Sequence, residues 1–500
     1  MDRKIITKGI FVLILIIGAV LRLSFLAKSP PSLNWDEAAL GYGAYSILKT
    51  RKDEFGIKLP IFLRSFDDYK PAIYSYTAIP FIKLLGLNET AVRLPSAIAG
   101  IISILFVYLI SKELFNSKIG LIASALVAIE PWSVHFSRAA FESNLALSFY
   151  LGGIYFILRS KFKNWMGFAG IFFLVLSSYT YQTEKILIIP TLLILALSFR
   201  KNFRWIHVIQ AIFLLLPLIY NHIAVKESFS RLGSTIYLQG ILPRMISYFS
   251  PVNLFVRGTP EPTQQIFGFG MFHLIEFFFW IYGFYFLLKN YREHKLFLLL
   301  ILISPIPAII TWNWFYPARV LPLFAFFSIV IAQGVLEASK KLPKIILLPI
   351  LLLFIPSVFN LATNLLFYLP YREKGSWQYA MKQIVEKINE RETNYKNIVF
   401  ETRTAQPHIF ILFYSKYDPA KYQEETKFLA NEKPRRNFNF GKYTFRDVYW
   451  NTDQYLKEAL LIAPESSLPS GKVRSNPNTN FFSEVNDSWA NPLSNIVGLK

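Results

Sequence analysis

The sequence predicts a polytopic α-helical membrane protein of about eleven transmembrane helices, followed by a small C-terminal α/β soluble domain. Three observations carry that expectation. Apolar windows of about 17–22 residues, long enough to cross a hydrocarbon core of ~30 Å, recur through the first three quarters of the chain. The chain is 53% hydrophobic and 17% aromatic over 500 residues, with a mean hydropathy of +0.36, more apolar than a soluble chain of that length. Short Lys/Arg clusters separate alternate apolar runs, as they do in cytoplasmic loops.

The first run is Gly9–Ala27, ended abruptly by Lys28-Ser-Pro-Pro. Its basic start resembles the head of a signal peptide, but the run is too long and lacks a small-x-small exit, so it is read as a retained span. Further runs lie near 93–111, 119–136, 143–159, 165–180, 184–200, 205–223, 267–289, 295–311, 318–337 and 343–367. Basic clusters follow at Lys112/Lys118, Arg159 to Lys163, Arg200 to Arg204, Lys289 to Lys295 and Lys340 to Lys344. Placing these inside with the N-terminus puts them all on the cytoplasmic face and the C-terminal tail outside. Segment Ala72–Leu87 is also apolar. Counting it as a span would move every later basic cluster outward, so it reads as interfacial or re-entrant. Residues 28–92 then form one large outer loop, in which Ala38–Thr50 reads as an amphipathic interfacial helix.

The expected division is a membrane domain over 1–367 and an extracytoplasmic α/β domain over 368–500. Helical spacing appears at Trp377–Arg391 and Pro407–Tyr417, and strand-like runs at Asn397–Glu401, Tyr443–Trp450 and Leu460–Ala463. The last thirty or so residues are rich in Ser, Asn and Pro and read as less ordered. A net charge of +21 would suit nucleic acid. Here the basic residues sit between spans, as loop anchors and contacts to anionic lipid, and no nucleic-acid partner is expected. The chain has no cysteine, which excludes disulfides, thiolate metal sites and a cysteine nucleophile.

The unusual polar residues gather on the predicted outer face. Asn34-Trp35-Asp36-Glu37 places two acids just past the first span, where a charge must be solvated or employed. Asp67-Asp68-Tyr69-Lys70-Pro71 lies further along the same loop. Glu130-Pro131-Trp132 and His135 to Glu142 follow, then Tyr179 to Lys185, and last Trp312 to Arg319. Carboxylates among several cations suit transfer from a phosphate-bearing donor. An acid takes the proton of an acceptor hydroxyl, and Lys and Arg hold the departing phosphate. At a membrane the natural phosphate donor is a lipid.

These residues, in this order, resemble the GT-C superfamily of polyprenyl-phosphate-sugar-dependent glycosyltransferases. The similarity is to the protein O-mannosyltransferases, the aminoarabinose transferases of lipid A and the RgtA/B/C/D-like enzymes. It rests on Trp35-Asp36-Glu37, on Lys70-Pro71-Ala-Ile-Tyr74-Ser-Tyr76, on Arg93-Leu-Pro95-Ser and Glu113-Leu-Phe115, and on Pro131-Trp132 through Phe136-Ser137-Arg138 to Glu142. It covers roughly the first 200 residues well. The resemblance implies an inverting transfer of a sugar from a polyprenyl-phosphate donor at the outer face of the cell membrane, to a protein, lipid or polysaccharide acceptor in the cell envelope. It maps the general base onto Asp36, with Glu37 beside it, and a second acid onto Glu142, with Glu130 as the alternative. It maps phosphate binding onto Lys70, with Arg138 and Arg319 as helpers, and Tyr74 and Tyr181 as further substrate contacts. No metal ligand set is identified, and a divalent cation is left open. Ala72 replaces the second proline of the family's Lys-Pro-Pro.

Each residue also has a plainer reading. Asp36 and Glu37 suit a helix N-terminus, and Lys70 suits a snorkelling lysine. Arg138 is spaced to pair with Glu142, and Glu184 to pair with Lys185. Glu130 reads as a satisfied buried acid, His135 as a packing residue, and Trp312, Trp314 and Tyr316 as an interface belt. Asp67-Asp68 reads as a solvated loop. Two competing functions remain. A transporter or flippase of lipid-linked sugars would suit the intramembrane acid, although paired broken helices in related halves are missing. A non-catalytic envelope scaffold would use the tail as its binding module.

Overall fold

The computed structural model describes residues 3–66, 68–224, 236–403, 406–427, 437–486 and 492–500. Along the chain, α1 (Arg3–Leu23) leads to α2 (Trp35–Thr50), strands β1 (Phe62–Ser65) and β2 (Asp68–Pro71), α3 (Ile73–Leu85) and α4 (Glu89–Leu114). Next come α5 (Ser117–Ile129), α6 (Pro131–Arg138), α7 (Glu142–Ser160), α8 (Trp165–Ser178), α9 (Glu184–Ser198) and α10 (Trp205–Ala224). The later membrane segments hold α11 (Ile241–Tyr248), α12 (Glu276–Lys289), α13 (Tyr291–Ile303), α14 (Leu321–Lys341), α15 (Lys344–Leu352) and α16 (Phe354–Thr363). Every apolar run of the sequence carries helix. Among the described residues five helices are long and apolar enough to span a membrane unaided, and the α5–α6 pair makes a sixth. The remaining runs hold shorter helices, such as α8 with 14 residues and α12 with 14.

The chain divides into two compact units. One comprises Met1–Leu26, Asp68–Tyr74 and Arg93–Leu366; the other comprises Ala27–Asp67, Ser75–Val92 and Phe367–Lys500. Most of the segment 28–92 is therefore grouped with the tail, which a boundary drawn at 367/368 does not convey.

In the membrane unit, α14 is the central helix, with 94% of its apolar window buried. It meets α12 through Gly283 and Gly334, where any Cβ would run into the facing backbone at Val330 or Phe279. The α7–α8 pair uses the same device: a Cβ on Gly153 would lie 2.8 Å from Gly170 O. Small residues let membrane helices approach until their backbones touch, and dispersion then holds them. Asn116 starts α5 by accepting from the backbone N–H groups of Lys118 and Ile119. Pro131 ends it, because the residue before a proline is driven out of the α region, and Glu130 sits at ψ 137°. The following α6, with proline at its first position, leaves at 55° to α5.

Charged side chains hold the ends of these helices. Arg22 of α1 is fully buried and donates to Val127 O at 2.9 Å and Ala128 O at 3.0 Å, the last carbonyls of α5. Arg138 of α6 returns the contact, donating to Leu21 O at 2.6 Å and Ser24 O at 2.8 Å at the end of α1. Arg93 reaches Leu26 O at 2.9 Å. Helix C-termini present unsatisfied carbonyls and partial negative charge, which a guanidinium answers on both counts.

The second unit is built on a six-stranded mixed sheet of order β4-β5-β3-β6-β8-β7, with β3 (Asn397–Phe400), β4 (Phe438–Phe440), β5 (Tyr443–Phe445), β6 (Ala459–Ala463), β7 (Thr479–Asn486) and β8 (Pro492–Leu499). Strand β3 runs parallel to β5 and β6, and the outer pairs are antiparallel. Helices α17 (Tyr379–Asn389), α18 (Pro407–Tyr414) and α19 (Pro419–Glu425) complete it. Two expectations are corrected here. The C-terminal stretch read as less ordered forms β7 and β8, whose apolar Val485, Ile496, Val497 and Leu499 are buried; polar alternation on a paired strand was taken for loop composition. Helix α2 is not an amphipathic interfacial helix. It is buried from Glu37 through Ala44, and packs on α18 and α19. Any Cβ at Gly41 would meet Phe413 at 2.7 Å, and Gln423 donates to Ser46, Thr50 and Asp53 O. Helix α3 has 13 residues, about 20 Å, too short to cross a ~30 Å core unaided.

Candidate active site

The first acidic pair opens α2, and the local chemistry separates its two members. Asn34 is the N-cap: its Oδ1 accepts from Glu37 N at 2.9 Å, and Glu37 Oε2 accepts from Asn34 N at 3.2 Å. This reciprocal capping box satisfies two of the helix's orphan donors. Glu37 is only 2% exposed and committed to the cap. Asp36, one position earlier in the first turn, is half-buried, and the cap does not require its carboxylate. Trp35 N donates to Gln378 Oε1 at 2.8 Å.

The membrane unit carries the cations and aromatics. Lys70 lies one residue before the end of β2 and is 9% exposed, and Tyr74 in the first turn of α3 is fully buried. The strand is tied to the turn before α9, where Gln182 Nε2 donates to Tyr69 O at 2.9 Å. Lys185 Nζ donates to Gln182 Oε1 at 2.5 Å and lies 3.1 Å from His222 Nε2 of α10. The expected Glu184–Lys185 ion pair is therefore corrected: Lys185 points to Gln182 and His222, and Glu184 Oε2 is buried without a hydrogen-bond partner. Adjacent charges on one helix lie about 100° apart and do not face each other. Burial pushes the Tyr181 hydroxyl up, and Tyr316 adds to this; Arg319 opposes it, while Glu142 and Glu184 add further negative charge. Tyr181, Glu142, Tyr316 and Arg319 are thus electrostatic neighbours. Arg319 donates to Thr311 Oγ1 at 2.5 Å and Asn313 Oδ1 at 2.8 Å, with its guanidinium 4.5 Å from the Tyr316 ring centroid.

Other expected residues go elsewhere. Arg138 and Glu142 lie on different helices, so they are not i,i+4 neighbours on one helix face, and the Arg138 guanidinium, 1% exposed, caps α1. Glu130 is fully buried inside the bundle, accepting from Trp132 Nε1 at 2.8 Å and Ser328 Oγ at 2.6 Å. His135 Nε2 lies 2.8 Å from Thr263 O. Trp312 and Trp314 are exposed. Asp67 and the side chain of Asp68 fall outside the described residues. The sequence reading missed His222 and the end-capping role of Arg22. An arginine inside an apolar run was the available signal for the second; nothing near His222 in sequence marked the first.

Between α8 and α10 runs a cavity of about 380 Å³ lined by Ile73, Val175, Leu176, Tyr179, Leu214 and Pro217 among others. Its walls are apolar, and Tyr179 closes one side by donating to Leu214 O at 2.7 Å. Ile73 stands three residues from Lys70, and Pro217 about 7 Å along α10 from His222. Among the described residues no group of three or more His, Asp or Glu side chains is arranged to hold a metal ion.

Residues 69–223 match the family described as dolichyl-phosphate-mannose-protein mannosyltransferase. No curated protein matches the chain. Among solved structures, the fold resembles ArnT from Cupriavidus metallidurans in the apo state, with a TM-score of 0.60 and 13% identity over 98% of this chain and 97% of that one. The same enzyme bound to undecaprenyl phosphate gives 0.60 and 12% identity over 99% and 97%. The archaeal oligosaccharyltransferase AglB from Archaeoglobus fulgidus, in complex with an inhibitory peptide and a dolichol-phosphate, gives 0.51 and 15% identity over 83% of this chain and 64% of that one.

Proposed function

From the GT-C fold that this chain carries, we propose that it is a membrane glycosyltransferase that moves a sugar from a polyprenyl-phosphate donor to an acceptor hydroxyl at the outer face of the membrane, with inversion. The observation that carries the reading is Lys70 next in sequence to Tyr69, whose carbonyl accepts from Gln182, with Lys185 bonded to Gln182 in turn, and an apolar cavity of about 380 Å³ lined in part by nearby Ile73. Cations on the segments that flank an apolar trough suit one ligand chemistry, a phosphate on a long hydrocarbon chain. ArnT has been solved with such a lipid.

In this reading the acceptor oxygen attacks the anomeric carbon and the carbon–oxygen bond to the phosphate breaks. The hydroxyl proton passes to the Asp36 carboxylate, and the polyprenyl monophosphate departs with the bonding electrons. Lys70 holds the phosphate as its charge grows, and Arg319, oriented by Thr311, Asn313 and Tyr316, adds a second cation. Tyr181, Tyr74 and Glu142 complete the substrate contacts. Arg138 is left to the helix end it caps, and Glu37 to the capping box. Glu142, rather than the enclosed Glu130, is the second acid.

The test is a transfer assay on purified protein with a panel of polyprenyl-phosphate sugars, with and without chelator. Release of polyprenyl phosphate coupled to glycosylated product supports the reading. Movement of intact lipid-linked sugar across vesicles without bond cleavage would establish the transporter instead.

A further inference from the structure

The enclosed carboxylate of Glu130 is not alone. Trp132 N donates to Met271 O at 3.0 Å, and His273 Nε2 lies 3.0 Å from Ile129 O. The Met271–Glu276 turn is thus bonded to the chain on both sides of Glu130. Within that turn Glu276 folds back, its Oε2 accepting from His273 N at 3.1 Å. Both carboxyl groups are fully buried and interact electrostatically. Each spends one oxygen on hydrogen bonds, and the other oxygen, Oε1 in both residues, is buried with no hydrogen-bond partner among the described residues.

The charges of this enclosure do not balance. Arg22 is the cation facing Glu130, and its guanidinium is given to neutral oxygens: Gly18 O, Val127 O, Ala128 O, Ser133 Oγ and Ser137 Oγ. Two carboxylates against one guanidinium leave one negative charge in excess, with two bare oxygens, inside a helix bundle. Such an excess is among the costliest arrangements a protein can hold. Neither ring nitrogen of His273 is bonded to a carboxylate: Nε2 faces Ile129 O and Nδ1 faces Ser357 Oγ at 2.6 Å, partners that a neutral ring satisfies by donating to the carbonyl and accepting from the hydroxyl. A metal cation would require about six oxygen ligands, and the two bare atoms fall far short. A proton needs only one donor oxygen and one acceptor.

We propose that Glu130 and Glu276 form a proton-binding pair that holds one proton between two carboxylates, neutralising the enclosure together with Arg22. The pair locks the α5–α6 break to the start of α12. With Ser328 it also fastens α14, so that five helices, counting α1 with Arg22, meet on one shared charge balance. This is independent of the transfer reaction and does not use its residues.

The test is reaction of the purified full-length protein, at neutral pH, with a membrane-soluble carbodiimide, which adds to protonated carboxyl groups, followed by peptide mass spectrometry. Glu130 or Glu276 is expected to carry the adduct. The decisive variants are Glu130→Gln and Glu276→Gln, neutral and nearly isosteric, with size-exclusion elution checking that each remains folded. Glu276→Gln leaves Glu130 facing Arg22 alone and ionised, so labelling is lost at both positions in that variant, and Glu130→Gln shows which adduct belongs to Glu130. Labelling that persists at Glu130 in Glu276→Gln overturns the shared proton, since each acid would then be protonated alone. Absence of labelling in the parent places the proton elsewhere, on His273 for instance, and also overturns the proposal. Protection by sodium at constant pH identifies a metal cation and refutes it too.

Discussion

Replacing Asp36 by Asn separates the catalytic reading of the acidic pair from the structural one. The bonds that start α2 are made by Asn34 and Glu37 at 2.9 and 3.2 Å, so the cap does not need Asp36, whose charge near the N-terminus adds to the helix. That contribution is about 0.3–1 kcal/mol at a partly exposed site. A general base contributes roughly 10²–10⁴ in rate, which corresponds to about 3–5 kcal/mol of barrier. The substitution is therefore expected to leave melting within a few degrees of the parent while lowering turnover at least a hundredfold. Lipid-phosphate binding should be retained, because the cations of the membrane unit are untouched. The companion Glu37→Gln inverts the pattern: it weakens a cap worth about 1 kcal/mol and should lower stability more than turnover. The assay is release of polyprenyl phosphate from a donor that the purified protein accepts, read beside thermal unfolding. Turnover of Asp36→Asn within threefold of the parent would refute the assignment.

Three further outcomes are expected. Arg138→Gln leaves the Leu21 and Ser24 carbonyls buried without their charged donor, a loss of roughly 2–4 kcal/mol, seen as a lowered unfolding midpoint; an unchanged midpoint would return Arg138 to the phosphate set. Leu176→Trp narrows the apolar cavity and should raise KM about tenfold for a long-chain donor, about 1.4 kcal/mol, while a donor with a truncated isoprenoid is unaffected; equal effects on both would remove the cavity from the lipid's path. In the second unit, burial alone would raise the Glu401 carboxyl, but Arg403 and the Val448 N–H hold it down at about 2. An acid lowered on folding stabilises fully above its unfolded value of 4.5, and that stability is lost as pH falls from there toward 2. With the Arg403 side chain 46% exposed, solvent screening leaves roughly 1–2 kcal/mol. Glu401→Gln should flatten the acid limb of the unfolding curve, and a limb of unchanged slope would refute the contribution.

The apolar runs were legible because a hydrocarbon core imposes one length and one composition on whatever crosses it. That an acidic pair suits a helix N-terminus was equally local, whereas the capping residues themselves, Asn34 and Asn116, came from the structure. Other features depend on what lies across space. Glu37 and Asp36 are adjacent acids in the sequence, and only the backbone geometry of the capping box shows that one of them is spent. Arg138 has the right spacing to pair with Glu142, but Pro131 and the residues between α6 and α7 turn the helix axis, and the guanidinium finds carbonyls more than a hundred residues away. The strands β7 and β8 were hidden because a polar face and a buried face average to loop composition along the sequence.

By itself, then, the sequence determined that the chain spans a membrane many times, that a soluble α/β part follows, and which polar residues stand out, since hydropathy and charge are sums over neighbours in the chain. The tertiary structure decided which of those residues are occupied by helix ends, that most of the segment 28–92 packs with the tail, and that Glu130 shares its enclosure with Glu276. Those outcomes turn on contacts between segments far apart in sequence, where burial and charge balance are fixed only once the helices are packed.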